Sequence, residues 1–361
     1  MSRMRLATST LWSQESYNRL GRLTRTSRAD IVHFHNTFPL ISPACYYAAK
    51  RHGAAVVQTL HNYRLACPSA VLARAGRPCE ECRGRLFSWP GVLHACYRNS
   101  RSATAVTGAM LTLHRGLGTW TKAVDAYIAL TDFARLKFIT NGLPSSKIHV
   151  KPIFLEEPPQ PPPVKATTRQ ALFVGRLTEE KGLRTLLDAW QILSGSVPLT
   201  IVGDGPLSSW LERRITTLSG IFWLRQVSPE RVRSLMRAAG FLIIPSTWYE
   251  GLPVVSVEAF AAGCPIIASK LGNLATIVRD QKTGLHFAPG DARDLAAQVR
   301  WLSSRPEQLP AMKAAARSEY ERHYQPEGNY RRLISIYQAA LARAGRRRVK
   351  LPARAGCHAA E

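Results

Sequence analysis

Short apolar runs alternate with stretches of helical period along most of the chain. Residues 30–35 read as a buried strand ending in polar side chains, 42–52 as a helix closed by Gly53, and 55–60 as a second apolar strand. Further on, 126–130 predicts a strand, 132–139 a helix stopped at Asn141-Gly142, and 147–153 another strand. Residues 156–170 carry five prolines and read as an extended, semi-rigid linker. The pattern then restarts. Strands are predicted at 171–175, 199–203, 241–245 and 265–268, with helices at 182–193, 208–218, 229–239, 254–262, 291–303, 307–322 and 326–344. Strands alternating with helices imply right-handed βαβ units and parallel sheets. The fold class is α/β: two doubly wound, Rossmann-like domains facing across a cleft, the first spanning 1–155 and the second 171–325. Helix 326–344 follows, and then a basic tail, 345–361. In such sheets ligands bind at the carboxyl ends of the strands.

Chemistry gathers at those strand ends in the second half. Gly175-Arg176 follows an apolar strand and leads through Glu179-Glu180-Lys181-Gly182 into a helix. Glycine admits close backbone approach, the helix start offers free N–H groups, and Arg176 and Lys181 add full charges, a combination suited to a diphosphate. Gly203-Asp204-Gly205-Pro206 is a second glycine-bearing turn after a strand. Glu250-Gly251-Leu252-Pro253 then runs into a helix that carries Glu258. Carboxylates are natural acceptors for vicinal sugar hydroxyls. Each motif alone also fits an ordinary loop or a solvated face; Cys264, after Gly263, reads as a small core residue.

Together these motifs resemble the family 4 retaining glycosyltransferases of the GT-B fold, over residues 30 to about 340. The resemblance implies that Arg176 and Lys181 hold the diphosphate of a nucleotide-sugar donor. It implies that Glu250 contacts the donor sugar and Glu258 the ribose, with Gly203, Gly251, Leu252 and Pro253 lining the donor. His61, in Gln58-Thr59-Leu60-His61-Asn62, matches the family's histidine beside the sugar, and helix 326–344 matches one that crosses back to the N-terminal domain. The implied reaction moves a sugar to a polysaccharide, glycolipid or related acceptor with retention. No Asp-x-Asp motif occurs, in keeping with phosphate binding by cations and no catalytic cofactor. The resemblance also leads one to expect an opening strand and glycine-rich turn before residues 11–30. Those residues are instead polar, Arg-rich and helical in pattern, so about one βα unit of the N-terminal domain is expected to be missing.

In the first half, His33, His35 and Asn36 follow a strand, which places His35 and Asn36 on the acceptor side of the cleft. A Cys-rich insertion at about 64–101 holds Cys67, Cys79, Cys82 and Cys96 in a C-x11-C-x2-C-x13-C spacing. Four thiolates suit a structural tetrahedral Zn²⁺; reduced thiols in a loop are the alternative.

Charge sharpens the reading. The 361 residues carry 49 Lys and Arg against 24 Asp and Glu, a net +25. Residues 1–155 hold 21 basic and 6 acidic side chains, so the excess lies mainly in the first half. Arginines 64, 74, 77, 83, 85, 98 and 101 gather in the insertion and are expected to meet an anionic membrane surface or a phosphorylated lipid acceptor. No uncharged apolar run reaches the ~18–20 residues of a membrane span, and no apolar leader follows Met1. A cytoplasmic protein, peripheral on the inner face of the cell membrane, is the expectation. A nucleotide-sugar epimerase on the same frame, an inactive truncated copy, and a zinc-ribbon nucleic-acid binder are the rival readings. The basic runs lack interleaved aromatics, so no nucleic-acid partner is expected.

Overall fold

The computed structural model describes residues 3–156 and 170–345. The proline-rich linker lies almost wholly, and the basic tail beyond Gly345 entirely, outside the described residues. Twelve strands follow in chain order: β1 (Ile31–Phe34), β2 (Ala55–Leu60), β3 (Ala73–Arg74), β4 (Arg77–Pro78), β5 (Ala126–Ala129), β6 (Ile148–Val150), β7 (Ala171–Val174), β8 (Leu199–Val202), β9 (Ile221–Trp223), β10 (Phe241–Ile244), β11 (Ile266–Ser269) and β12 (Gly284–Phe287). They form a parallel sheet in the order β1-β2-β5-β6, a second parallel sheet in the order β12-β11-β10-β7-β8-β9, and a small antiparallel β3-β4 hairpin. Two α/β domains with parallel sheets are thus present, as the alternating pattern requires.

The central strands, such as Ala126–Ala129 and Phe241–Ile244, are apolar and buried at every position because both of their faces are covered. Phe173, Phe241 and Ile243 enter one core of the second domain, packed under the helices Leu183–Leu193 and Ala292–Ser303. Their neighbours Leu172, Leu242 and Ile244 enter another with Phe260 and Tyr320. The first sheet behaves likewise. Val56, Tyr127 and Ala129 face Tyr46 and Phe138, whereas Ala55, Val57, Ala126 and Ile128 face Ile336, Ala340 and Leu341 of the last helix, Pro326–Arg343. The C-terminal helix is therefore the lid of the N-terminal sheet. Lys151 Nζ donates to Asn329 Oδ1 at 2.6 Å, and Asn329 donates on to the Pro152 carbonyl, fixing the start of that helix.

The helical pattern before β1 is met by two helices, Arg3–Leu11 and Gln14–Ser27, the second capped by Ser13, whose hydroxyl accepts from the Ser16 N–H. Two features lie outside the sequence reading. Strand β9 is only three residues long, with Phe222 exposed at its centre, and β12 opens on a glycine and carries His286, so neither is predicted as a strand. The β3-β4 hairpin lies inside the Cys-rich insertion.

Truncating Leu341 to alanine removes a side chain only 2% exposed from the seam between helix and sheet. The expected cost is about 2–4 kcal/mol, read as a lower urea midpoint for the N-terminal domain while the second domain's transition stays in place.

Candidate active site

In the second sheet the order turns back between β7 and β10, and the two loops leaving their carboxyl ends open a crevice there. Lys181, after β7, and Glu250, after β10, meet in it. Lys181 Nζ donates to Glu250 Oε1 at 2.7 Å, and Ser246 Oγ donates to the same oxygen at 2.6 Å. Glu250 is 5% exposed, so the charge is buried and partnered by one cation and one hydroxyl. The approach of the two loops depends on Gly182 at φ +73°: a Cβ there would lie 1.8 Å from the Pro245 carbonyl oxygen. Gly203, at φ +136°, presses in the same way against Gly175, where a Cβ would lie 1.9 Å from the Gly175 oxygen. The Gly203-Asp204-Gly205 turn thus lies directly against the Gly175-Arg176-Leu177 turn, with the Leu177 N–H donating to the Asp204 carbonyl at 3.0 Å.

Arg176 is exposed on this turn, and its guanidinium makes no ion pair or hydrogen bond among the described residues. Two buried polar atoms nearby, Thr178 Oγ1 and the indole nitrogen of Trp248, also find no partner in the protein. The ring of Trp248 lies 6.0 Å from Lys181 Nζ. Leu252 and Pro253 are buried at the entry to the helix Val254–Ala261. Glu258 lies half-buried on that helix. Burial pushes its carboxyl upward, opposed by Arg233.

The N-terminal domain supplies the opposite wall. A Cβ on Gly251 would lie 3.3 Å from the His61 carbonyl oxygen, so the loop after β2 faces the loop after β10. His35 Nδ1 and His61 Nε2 are 2.8 Å apart and share one proton-bearing contact. His33 stacks on His35 at 4.4 Å, with Tyr337 Oη 2.8 Å from its Nδ1 and Thr59 Oγ1 2.7 Å from its Nε2. A row of three imidazoles therefore runs from the C-terminal helix to the cleft. Asn36 joins His35 and His61 in lining one cavity on this side. Burial, then His35 and Lys151, hold His61 below its ordinary range.

Sequence reasoning missed the residues that join the two walls. Asn273, fully buried, donates to the Glu250 and Gly251 carbonyls and, at 3.3 Å, to Tyr63 Oη, while Thr131 Oγ1 donates to its amide oxygen. Tyr249 Oη donates to Glu80 Oε1 at 3.3 Å, and Lys137 pairs with the same carboxylate. No motif signals these contacts, because each partner lies in a different loop and is an ordinary residue there.

The four cysteines of the insertion line one cavity and are free thiols. Among the described residues no group of three or more His, Cys, Asp or Glu is set to hold a metal ion. The insertion's arginines divide. Arg64 is turned inward, its guanidinium 4.2 Å from the Phe38 ring, and Arg74 pairs with Glu81, whereas Arg77, Arg85, Arg98 and Arg101 stay exposed. No helix among the described residues is long and apolar enough to cross a membrane.

The geometry has counterparts among known proteins. Residues 3–154 match the family model described as Glycosyltransferase Family 4, and residues 156–319 that described as glycosyl transferases group 1. The amylovoran biosynthesis glycosyltransferase AmsK of Erwinia amylovora is 30% identical over 220 residues, 56% of this chain and 53% of that protein. The α-maltose-1-phosphate synthase of Mycolicibacterium smegmatis is 30% identical over 138 residues, 35% of each. The chain spans about half the length, or less, of these curated relatives. Among solved structures, Anabaena HepE in complex with UDP aligns with a TM-score of 0.66 at 16% identity, over 88% of this chain and 80% of that one. Sucrose-phosphate synthase of Thermosynechococcus elongatus aligns with a TM-score of 0.67 at 16% identity, over 95% and 80%. Identities this low speak for the fold.

The histidine row predicts a pH dependence of stability. Burial, followed by His35, Lys151 and His61, lowers His33 to about 4. The unfolded chain takes up this proton near pH 6.5 and the folded one does not, so stability is full above about pH 6.5 and falls as the pH drops toward 4. About 2 kcal/mol of the fall is expected to vanish in His33→Gln, after allowance for solvent screening, when urea unfolding is compared at pH 7 and pH 4.5.

Proposed function

We propose, for a chain whose two halves are a Glycosyltransferase Family 4 domain and a glycosyl transferases group 1 domain in the GT-B arrangement, that it transfers a sugar from a nucleoside-diphosphate sugar to a polysaccharide, glycolipid or related acceptor, with retention and without a metal at the leaving group. One observation carries the reading. Lys181 and Glu250 are joined at the turning point of the second sheet and face His61 across Gly251.

The chemistry asks for charge in two places. Breaking the bond between the anomeric carbon and the diphosphate puts negative charge on the leaving phosphate and positive charge on the sugar ring. Arg176 is exposed and unpaired at the strand end, and Lys181 has donor positions beyond the one it gives to Glu250. Both cations can therefore meet the phosphates, and Arg and Lys supply this charge without a metal. Glu250 keeps one carboxylate oxygen for sugar hydroxyls, its other oxygen being held by Lys181 and Ser246. Gly251 and Leu252 bring backbone N–H groups to the start of a helix, and Glu258 would take the ribose hydroxyls. His61, held below its ordinary range, is neutral at physiological pH and offers the ring a partner that does not repel developing positive charge. Retention follows if the acceptor attacks from the leaving group's side and the departing phosphate oxygen accepts its proton. The residues then act by position and electrostatics. HepE of Anabaena, which shares this fold, is solved in complex with UDP, which favours a nucleoside diphosphate as the leaving group.

The test is turnover of a panel of nucleotide sugars by the purified chain with lipid-linked and oligosaccharide acceptors, and assignment of the product's anomeric configuration by NMR. Lys181→Ala and Glu258→Ala are expected to lower kcat/KM by about 10²–10³-fold, with far-ultraviolet circular dichroism unchanged. Unaltered turnover in either variant contradicts the assignment, and sugar interconversion without an acceptor favours an epimerase.

A further inference from the structure

The Cys-rich insertion ends in a surface that the donor chemistry does not use. Leu86 is 73% exposed, Trp89 50%, Leu93 54% and Phe87 36%, within eight consecutive residues. Solvated loops seldom hold so many large apolar side chains in the open. These are fixed in place. Thr112 Oγ1 and Arg115 Nη1, both on the helix Arg101–Gly116, donate to the Leu86 carbonyl at 2.7 and 3.4 Å, and Arg115 also donates to the Arg85 carbonyl at 2.8 Å. Phe87 packs against Gly108 of the same helix, where a Cβ would lie 3.0 Å from its ring. Leu113, 42% exposed, extends the apolar surface on that helix.

The segment that carries this surface is strongly basic, with Glu81 at its edge paired with Arg74. Between Glu81 and Asp125 the chain has no acidic residue and six basic ones: Arg83, Arg85, Arg98, Arg101, Arg115 and Lys122. Arg85, Arg98 and Arg101 are exposed, and the Arg85 guanidinium lies 4.9 Å from the Trp89 ring. Apolar and aromatic side chains projecting among arginines match the layered chemistry of a bilayer surface, in which anionic head groups lie over acyl chains. A nucleic acid would meet the arginines but leave Leu86 and Leu93 in water. A second copy of this chain would bring like charges against like.

We infer that Leu86, Phe87, Trp89 and Leu93, with Arg85 beside Trp89 and the exposed Arg98 and Arg101 on the same segment, form a docking surface for an anionic phospholipid bilayer. The apolar side chains enter the head-group boundary and the arginines pair with lipid phosphates. Binding needs no donor or acceptor sugar, so it stands or falls separately from the transfer reaction.

The experiment is co-sedimentation of the full chain with vesicles of phosphatidylcholine, with and without phosphatidylglycerol, at low and high salt. Tryptophan quenching by brominated lipid is followed in parallel. Binding is expected only with phosphatidylglycerol and weakened by salt, falling about fivefold for each of Arg85→Ala and Arg98→Ala. It is expected to be lost in Leu86→Ser/Leu93→Ser, with part of the quenching lost in Trp89→Phe. Thermal melts of every variant check the fold. Equal sedimentation with both vesicle types, unchanged binding in the arginine or leucine variants, or a concentration-dependent dimer that Leu86→Ser/Leu93→Ser dissolves would each overturn the inference.

Discussion

A buried carboxylate needs a cation, and the second domain is arranged around that need. Glu250 is shielded from water by the loop after β10, and Lys181 reaches it from the loop after β7. Removing one member of such a pair leaves the other charge buried and alone, commonly at a cost of about 3–5 kcal/mol. The pair therefore does more than line a pocket. It fixes the separation of two loops at the turning point of the sheet, and Gly182 is what lets them come that close. The same cation that secures the fold is the one placed to meet a phosphate, so structure and binding draw on one side chain.

The opposite wall is held from further away. The last helix covers the second face of the N-terminal sheet, and its Tyr337 touches His33, which stacks on His35, which contacts His61. A helix from the end of the chain thus sets the position of imidazoles at the cleft. Asn273 and the Glu80–Tyr249 contact close the remaining distance between the domains. Both lie beside Glu250: Asn273 donates to its backbone carbonyl, and Tyr249 precedes it in the chain.

The sequence made some of this plain and hid the rest for physical reasons. Strands such as Phe241–Ile244 are apolar at each position because helices cover both faces, and that pattern is visible without coordinates. The turns after β7, β8 and β10 are visible too, since glycine and charge at a strand end are unusual together. The edge strand β9 escapes because its apolar run, Ile221-Phe222-Trp223, is only three residues long. The joining of Lys181 to Glu250 escapes because 69 residues separate them and only the strand order makes them neighbours. Arg64 misleads in the other direction: counted among the basic residues of the insertion, it is stacked on Phe38 and Tyr97 inside the domain.

The net charge can now be apportioned. The donor crevice pairs its own lysine with a glutamate and leaves Arg176 as the free cation, so a diphosphate site of this kind accounts for little of the +25. The N-terminal domain also neutralises part of its charge internally, as in the Lys50–Asp125, Arg74–Glu81 and Lys137–Glu80 pairs. Part of what stays uncompensated lies between Glu81 and Asp125, on the segment that also exposes leucine, phenylalanine and tryptophan. Charge alone would fit any polyanion. Charge mixed with exposed apolar side chains fits a polyanion that has an oily layer beneath it. An enzyme passing sugars to lipid-linked acceptors would find its substrate in that layer, and the basic edge would bring the cleft to it.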